Sequence, residues 1–138
     1  MERRDETGGL ADLVRYMISV AKQDIADGKL LLENNSLLSA NNRIYYAMFH
    51  AMRAITVLDG FDASKHSSII ACFNKDYVKT GVFDKKASKI VKSASVLREK
   101  SDYEDFYIAS KTDAETQVKN AEEFLAMVEL YLKEKGII

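Results

Sequence analysis

The chain has 138 residues, a formal net charge of −1, 47% hydrophobic and 30% charged residues, which is typical of one globular domain. Proline is absent and glycines number only six, so long helices are permitted and an all-β fold would lack its turn residues. One cysteine and two histidines cannot form an internal disulfide or a Cys/His zinc cluster, so we expect no metal and no cofactor. No apolar run is long enough for a membrane span and the polar start has no signal-peptide core, so we expect a cytoplasmic protein without membrane contact.

The first half of the chain predicts two long helices behind a polar tail. Residues 1–9 are charged and glycine-containing, and we expect a flexible tail followed by a single domain at 10–135. Apolar residues at spacings of three and four predict a first amphipathic helix over residues 10–33. A second helix, over residues 36–58, would be capped by Ser36. Because the turn between them is short, the two helices should run antiparallel.

The second half predicts three more helices. Ser64 is expected to cap a short third helix that Gly81 interrupts, and Asp84 to cap a fourth that ends near residue 100. The aromatic segment 101–110 has no helical period, and we expect it to lie ordered across the bundle. Thr112 has the spacing of a capping box and would open the last helix. The fold class is therefore all-α, an up-and-down bundle of four long helices plus one short helix.

A polar stripe on the second helix is the most unusual feature. On an ideal helix Asn42, Arg43, Tyr46, His50 and Arg53 fall on one side, with no Glu or Lys among them. These side chains make directed hydrogen bonds, and two arginines suit phosphate or carboxylate partners. One interpretation is a polar network that ties this helix to its neighbours; the other is a binding site for a nucleotide or RNA.

Arg43 and His50 are the candidate catalytic pair within this stripe. Six residues separate them, so they project from the same side about two turns, or roughly 10 Å, apart. Metal-independent RNA cleavage needs a group that moves protons near neutral pH, which imidazole does, and a cation over the non-bridging oxygens, which guanidinium provides. Tyr46 could orient either group. The alternative is a core histidine bonded to a tyrosine or a backbone carbonyl.

Other polar residues have simpler interpretations. His66 opens the third helix and is expected to satisfy free amides there. Cys72 lies among apolar residues and is expected to be a core thiol rather than a nucleophile. Lysines of the third and fourth helices form a solvated face or contact a phosphate backbone. Arg98 and Asp102 could pair with each other or with the arginines of the second helix, which would hold the segment after them over the polar stripe.

Four sequence blocks carry a resemblance to a known family. They are NRIYYAMFHA at 42–51, KHSS at 65–68, FNKDYVKTG at 73–81 and LREKSDY at 97–103. In this order they resemble the HEPN domain (higher eukaryotes and prokaryotes nucleotide-binding), in its small stand-alone archaeal and bacterial members. The resemblance runs over nearly the whole chain.

The resemblance implies a helical bundle, often a homodimer, that works with a minimal nucleotidyltransferase in a toxin–antitoxin pair. Many such domains are metal-independent ribonucleases with an Arg-x(4–6)-His motif, which Arg43 and His50 match, although Ile44 stands where a polar residue is usual. We therefore expect a dimeric nucleotide-, RNA- or partner-binding module, with an endoribonuclease toxin and a purely structural subunit as alternatives. Arg98, Asp102 and Tyr103, from the last block, are expected to support the site.

Overall fold

The computed structural model describes residues 6–104 and 106–138. In chain order it has α1 (Glu6–Glu33), α2 (Leu37–Leu58), α3 (His66–Phe73), a π-helical turn (Asn74–Val78), α4 (Lys85–Tyr103) and α5 (Lys111–Glu134). Within the described ranges there is no strand. The prediction of an all-α, up-and-down bundle with four long helices and a short one is confirmed. No helix in these ranges combines the length and the apolarity needed to cross a bilayer.

α2 is the central element, because it packs against each of the other four α-helices. Its apolar face is almost completely enclosed: Ile44, Met48, Met52 and Ile55 are each at most 2% exposed. Full burial of one such side chain stabilises the fold by about 1.5–3 kcal/mol. The opposite edge of α2, which carries the polar stripe, is therefore held in a fixed orientation by a well-packed core.

The turn between α1 and α2 follows the turn chemistry expected for two adjacent asparagines. Asn35 adopts a left-handed conformation with φ 58°, which asparagine tolerates better than most residues. The backbone N–H of Ser36 donates to Leu31 O at 2.9 Å, and that of Asn35 donates to Leu32 O at 3.0 Å. This pair of bonds is a Schellman motif, which ends α1 and reverses the chain.

A glycine allows α1 and α2 to approach closely beside the polar stripe. A Cβ added at Gly28 would lie 2.6 Å from Ile44 Cδ1, closer than any ordinary contact. Ile44 is itself 1% exposed, so it has little room to move. The spacing of the two helices at this point thus depends on the missing side chain at position 28.

The N-terminal boundary differs from the expectation. α1 begins at Glu6 instead of residue 10, so residues 6–9 of the expected tail form its first turn. The first turn of a helix has unpaired N–H groups in any case, and glycine there costs less than in the interior. Residues 1–5 of that tail lie outside the described residues.

The expectation for residues 101–110 was wrong. α4 continues to Tyr103, and within this last part Ser101 Oγ donates to Leu97 O at 2.8 Å. Phe106 and Ile108, beyond it, are 95% and 89% exposed, so the segment does not pack across the bundle. Its residue 105 lies outside the described ranges.

Two of the expected helix caps are replaced by neighbouring residues, and one makes no side-chain bond. Ser110 caps α5 instead of Thr112, accepting a bond from Asp113 N at 3.3 Å. Lys65, not Ser64, precedes α3, and Ser36 precedes α2 without a side-chain bond. Asp84 caps α4 as expected and accepts from Lys86 N.

A carboxylate at the end of α2 joins this helix to the π-helical turn and to α5. Asp59 Oδ2 accepts a hydrogen bond from the hydroxyl of Tyr131 at 3.0 Å and another from the hydroxyl of Tyr77. Burial, followed by the bond to Asp59, raises the pKa of Tyr131 to about 12. The same causes raise the pKa of Tyr77 well above its ordinary value. Both phenols therefore stay protonated and hold three elements together.

Candidate functional site

Arg43 and His50, the candidate catalytic pair, meet at one carboxylate of α1. His50 Nδ1 lies 2.7 Å from Asp24 Oδ2, and Arg43 Nη1 donates to Asp24 Oδ1 at 3.3 Å. Each oxygen of the carboxylate thus serves a different residue of α2. The structure brings the two predicted side chains together through a residue that the sequence reasoning had not included.

Asp24 is almost fully enclosed, while its two partners reach solvent. Asp24 is 4% exposed, whereas the side chains of Arg43 and His50 are 45% and 29% exposed. A buried carboxylate must be paired to offset its desolvation, and here two partners do so. The arrangement leaves one cation and one imidazole at the surface with a fixed anion beneath them.

The bond to Asp24 determines how His50 presents its ring. A carboxylate on Nδ1 accepts the Nδ1–H proton, which leaves the Nε2 lone pair of the neutral ring available. The same carboxylate compensates a positive charge on the ring when Nε2 takes a proton. The His50 side chain is 29% exposed and, among the described residues, bonds a carboxylate and not the backbone, which does not fit the alternative of a core histidine.

The second histidine of the chain lies beside this pair. The His66 ring stacks on Phe49 with centroids 3.9 Å apart, and its Nδ1 lies 3.1 Å from the Tyr45 hydroxyl. The Tyr46 ring is 6.0 Å from His50 and 5.6 Å from His66, so it stands between the two imidazoles. Burial, and then the charges of Arg98 and His50, lower the pKa of His66. Its neutral form is favoured, and its side chain joins the site instead of capping α3.

Arg98, from α4, covers the two tyrosines. Its guanidinium carbon lies 4.8 Å from the Tyr45 ring centroid and 5.8 Å from that of Tyr46, within the range of a cation–π interaction. Its Nε is 3.5 Å from Asp102 Oδ2, an ion pair one helical turn along α4. The predicted pairing of Arg98 with Asp102 is therefore present, but both residues belong to α4. The pair does not hold the segment after α4 over the polar stripe.

The remaining predicted site residues are placed at varying distances from this centre. Asn42, Arg43 and Asp102 line a shallow cavity of about 360 Å³ at the α2–α4 edge. Arg53 is held by Asp62 in a two-bond pair at 2.8 and 2.7 Å, which ties down the loop after α2. Tyr103 is 74% exposed at the end of α4. Their roles in binding stay predictions.

The surroundings of Cys72 do not favour nucleophilic chemistry. Cys72 is half-buried instead of fully in the core, and its Sγ lies 3.5 Å from Asp76 Oδ2. Burial and that carboxylate raise the pKa of the thiol, which disfavours the nucleophilic thiolate. Among the residues described, no three His, Cys, Asp or Glu side chains are grouped as metal ligands.

Sequence reasoning missed Asp24, although a signal was present. The buried arc of α1 includes Ala21 and Ile25, and Asp24 falls within that arc as its one buried charged residue in the described part of the helix. A carboxylate on an apolar face needs a buried partner, and the neighbouring helix offers cations. The sequence predicts only a local role for His66, because helical periodicity does not show which helices face each other.

The HEPN domain pattern matches residues 14–131 of this chain. The chain belongs to the HEPN family. A UPF0332 protein of Thermotoga maritima is 34% identical over 122 residues, which cover 88% of this chain and 92% of that protein. A protein of Methanocaldococcus jannaschii named "Putative toxin MJ0605" is 28% identical over 121 residues, covering 88% of this chain and 90% of its own. The predicted family is thereby confirmed.

A solved structure of another protein has the same helical bundle as this HEPN chain. The protein TT1696 from Thermus thermophilus superposes with a TM-score of 0.69 over 84% of this chain and 95% of that one, at 18% identity. At that identity the likeness concerns the fold alone. A second Methanocaldococcus jannaschii relative, 26% identical over 122 residues that cover 88% of this chain and 83% of that protein, is named "Putative toxin MJ0142".

Proposed function

We propose that this HEPN protein is a toxin-type, metal-independent endoribonuclease whose site is formed by Arg43, His50 and Asp24. The observation that carries the proposal is the two-sided use of the Asp24 carboxylate, 2.7 Å from His50 Nδ1 and 3.3 Å from Arg43 Nη1. A histidine oriented by a buried carboxylate next to an exposed guanidinium is an arrangement suited to a phosphodiester.

In the proposed reaction the scissile phosphate lies against Arg43 while His50 Nε2 takes the proton of the adjacent 2′-hydroxyl. The 2′-oxygen forms a bond to phosphorus, the bond from phosphorus to the 5′-oxygen breaks, and the products are a 2′,3′-cyclic phosphate and a 5′-hydroxyl. The leaving oxygen takes a proton from water or a second acid. Proton transfer of this kind contributes about 10²–10⁴-fold in rate, and a positioned cation about 10²–10³-fold.

One observation favours a second candidate, binding without cleavage. Ile44 follows Arg43 and is 1% exposed, so the position where the family motif usually has a polar residue belongs to the core here. Such a protein would still bind a nucleotide or RNA through Asn42, Arg43, Tyr46, His50 and Arg53.

In either form we propose a cytoplasmic homodimer that works with a minimal nucleotidyltransferase as its antitoxin-type partner. Light scattering and co-purification of the two proteins test those two assemblies.

The test is cleavage of a single-stranded RNA in excess EDTA. We expect cleavage by the wild type and its loss in His50→Ala and Arg43→Gln. Arg15→Gln is the matched control, because Arg15 lies far along α1 and bonds Ile137 O at 2.8 Å. Absence of cleavage together with RNA binding that depends on Arg43 would favour the second candidate. If neither cleavage nor binding occurs, both are wrong.

A further inference from the structure

A cavity of about 530 Å³ opens between α2, α3 and α4, next to the proposed RNA site. We call it the α2–α3–α4 cavity; its lining includes Tyr45, His66, Ser67, Lys92, Ser95 and Arg98. Volumes of this size are typical of small-molecule sites. Nothing in the Arg43–His50 chemistry accounts for this space.

The lining chemistry is that of a nucleotide site. Lys92 and Arg98, both from α4, provide two cations to the lining, which suit a phosphate. Ser67 and Ser95 provide hydroxyls that can both donate to and accept from a base or a ribose. Glu99 is the one carboxylate among the lining residues, and Asp102 pairs with Arg98 from outside the lining.

Arg98 has hydrogen-bonding capacity that the protein does not use. Its Nε is buried and has no hydrogen-bond partner among the described residues; the ion pair with Asp102 at 3.5 Å lacks hydrogen-bond geometry. Its guanidinium is fixed in position over the rings of Tyr45 and Tyr46. The buried Nε is closed to a ligand, but the Arg98 side chain is 23% exposed and lines the cavity, so the outer part of the guanidinium can meet an anion.

His66 connects the cavity with the Arg43–His50 pair. It lines the cavity and contacts Tyr45, and the rings of Tyr46 and Phe49 each lie within 6.0 Å of both His66 and His50. Asp102 lines the shallow cavity beside Arg43 and pairs with Arg98 of the α2–α3–α4 cavity, so a chain of nucleotides with one phosphate at Arg43 can extend toward the mouth of the second cavity.

We propose that the α2–α3–α4 cavity binds the nucleotide adjacent to the scissile phosphate, with a phosphate at Lys92 and Arg98 and the base and ribose against His66 and the serine hydroxyls. The proposal rests on the proposed RNA site at Arg43 and His50. It makes His66 a positioning residue that contacts the bound nucleotide. Because free nucleotides share this chemistry, the test includes them as a separate arm.

The experiment measures the binding of a short 2′-O-methyl RNA, which this reaction cannot cleave, and of free AMP and ATP by fluorescence anisotropy. Two variants address the cavity. Ser95→Trp fills it, and Lys92→Gln removes an exposed cation without disturbing the core. Lys89→Trp and Lys89→Gln are the matched controls, since Lys89 is exposed on the same helix and does not line the cavity. Circular dichroism checks that all four variants keep the helical content of the wild type.

We expect Ser95→Trp to weaken oligonucleotide binding at least about tenfold and Lys92→Gln by up to about fivefold, the effect of one solvent-exposed ionic contact. The Lys89 variants should bind as the wild type does. Equal binding by all variants, with cleavage still dependent on His50, would overturn the cavity proposal and leave the nuclease standing. Binding that is weakened by the cavity variants, without any cleavage by the wild type, would support the cavity proposal and overturn the proposed nuclease. Binding of AMP or ATP that competes with the oligonucleotide would identify a free nucleotide as the ligand.

Discussion

The substitution Asp24→Asn separates orientation of the site from folding of the bundle. The amide is nearly isosteric with the carboxylate, so the packing around a residue that is 4% exposed is kept. It removes the negative charge between His50 and Arg43, and its NH₂ group would face one of two donors. His50 then loses the acceptor that holds its Nδ1–H and its ring orientation.

The expected size of the effect follows from these contacts. An Asp→Asn change behind a catalytic histidine reduces turnover by about 10⁴-fold in the serine-protease triad. Here His50 is partly exposed and can reorient through solvent, so we expect a loss of about 10²–10⁴-fold in cleavage rate. The free energy of unfolding should fall by only about 1–2 kcal/mol, because both bonding partners reach water when released.

The assay is single-turnover cleavage of a short RNA in EDTA at saturating protein, together with thermal unfolding. A matched control is Asp27→Asn, because Asp27 lies one turn further along α1 and bonds only Gln23, at 2.9 Å, among the described residues. If Asp24→Asn cleaves at the wild-type rate while His50→Ala does not cleave, Asp24 does not orient His50 and the proposed mechanism is wrong.

Three further predictions concern packing and titration. Gly28→Ala should lower the free energy of unfolding by about 1–3 kcal/mol in chemical denaturation, because the new Cβ would lie 2.6 Å from Ile44 Cδ1. This clash outweighs the better helix propensity of alanine. A gain in stability would contradict the prediction. The pKa of Tyr131 is raised to about 12, so the phenol ionises first in the unfolded chain and the free energy of unfolding falls as the pH rises from about 10. Tyr131→Phe should make the dependence of that free energy on alkaline pH less steep. An unchanged pH dependence would refute this prediction. Burial and the Arg98 charge lower the pKa of His66, so Arg98→Met should raise that pKa, as measured by proton NMR, and an unmoved pKa would argue against the contact. Because the folded protein favours the neutral imidazole, the free energy of unfolding of the wild type should fall as the pH falls and the unfolded His66 takes up a proton.

The helices were predictable because each has its own apolar period. α2 illustrates this: its buried residues Ile44, Met48, Met52 and Ile55 recur at spacings of three and four, and a fixed period requires no knowledge of the partner helix. Apolar spacing did not predict that residues 101–103 continue α4, because Ser101, Asp102 and Tyr103 add no buried apolar residue to the stripe of that helix.

The site was predictable only along one helix. Helical geometry alone places Arg43 and His50 on the same side of α2. Asp24, His66 and Arg98 come from three other helices, and which of their faces meet α2 follows from side-chain packing that no local pattern encodes. A buried acidic residue within an apolar arc is the one local signal that could have indicated Asp24.

The burial of Asp24 is itself an argument that its role goes beyond stability. Moving a carboxylate out of water costs several kcal/mol, and replacing a buried ion pair by apolar side chains is often neutral or stabilising. Here the partners lie half in solvent, so their attraction to Asp24 is weakened by screening and repays less of that cost. A leucine at position 24 would pack naturally in the arc between Ala21 and Ile25. We therefore expect Asp24→Leu to fold at least as stably as Asp24→Asn and to cleave no RNA, as measured by chemical denaturation beside the EDTA assay. Strong destabilisation relative to Asp24→Asn, by more than about 2 kcal/mol, would mean that the carboxylate is needed by the fold itself.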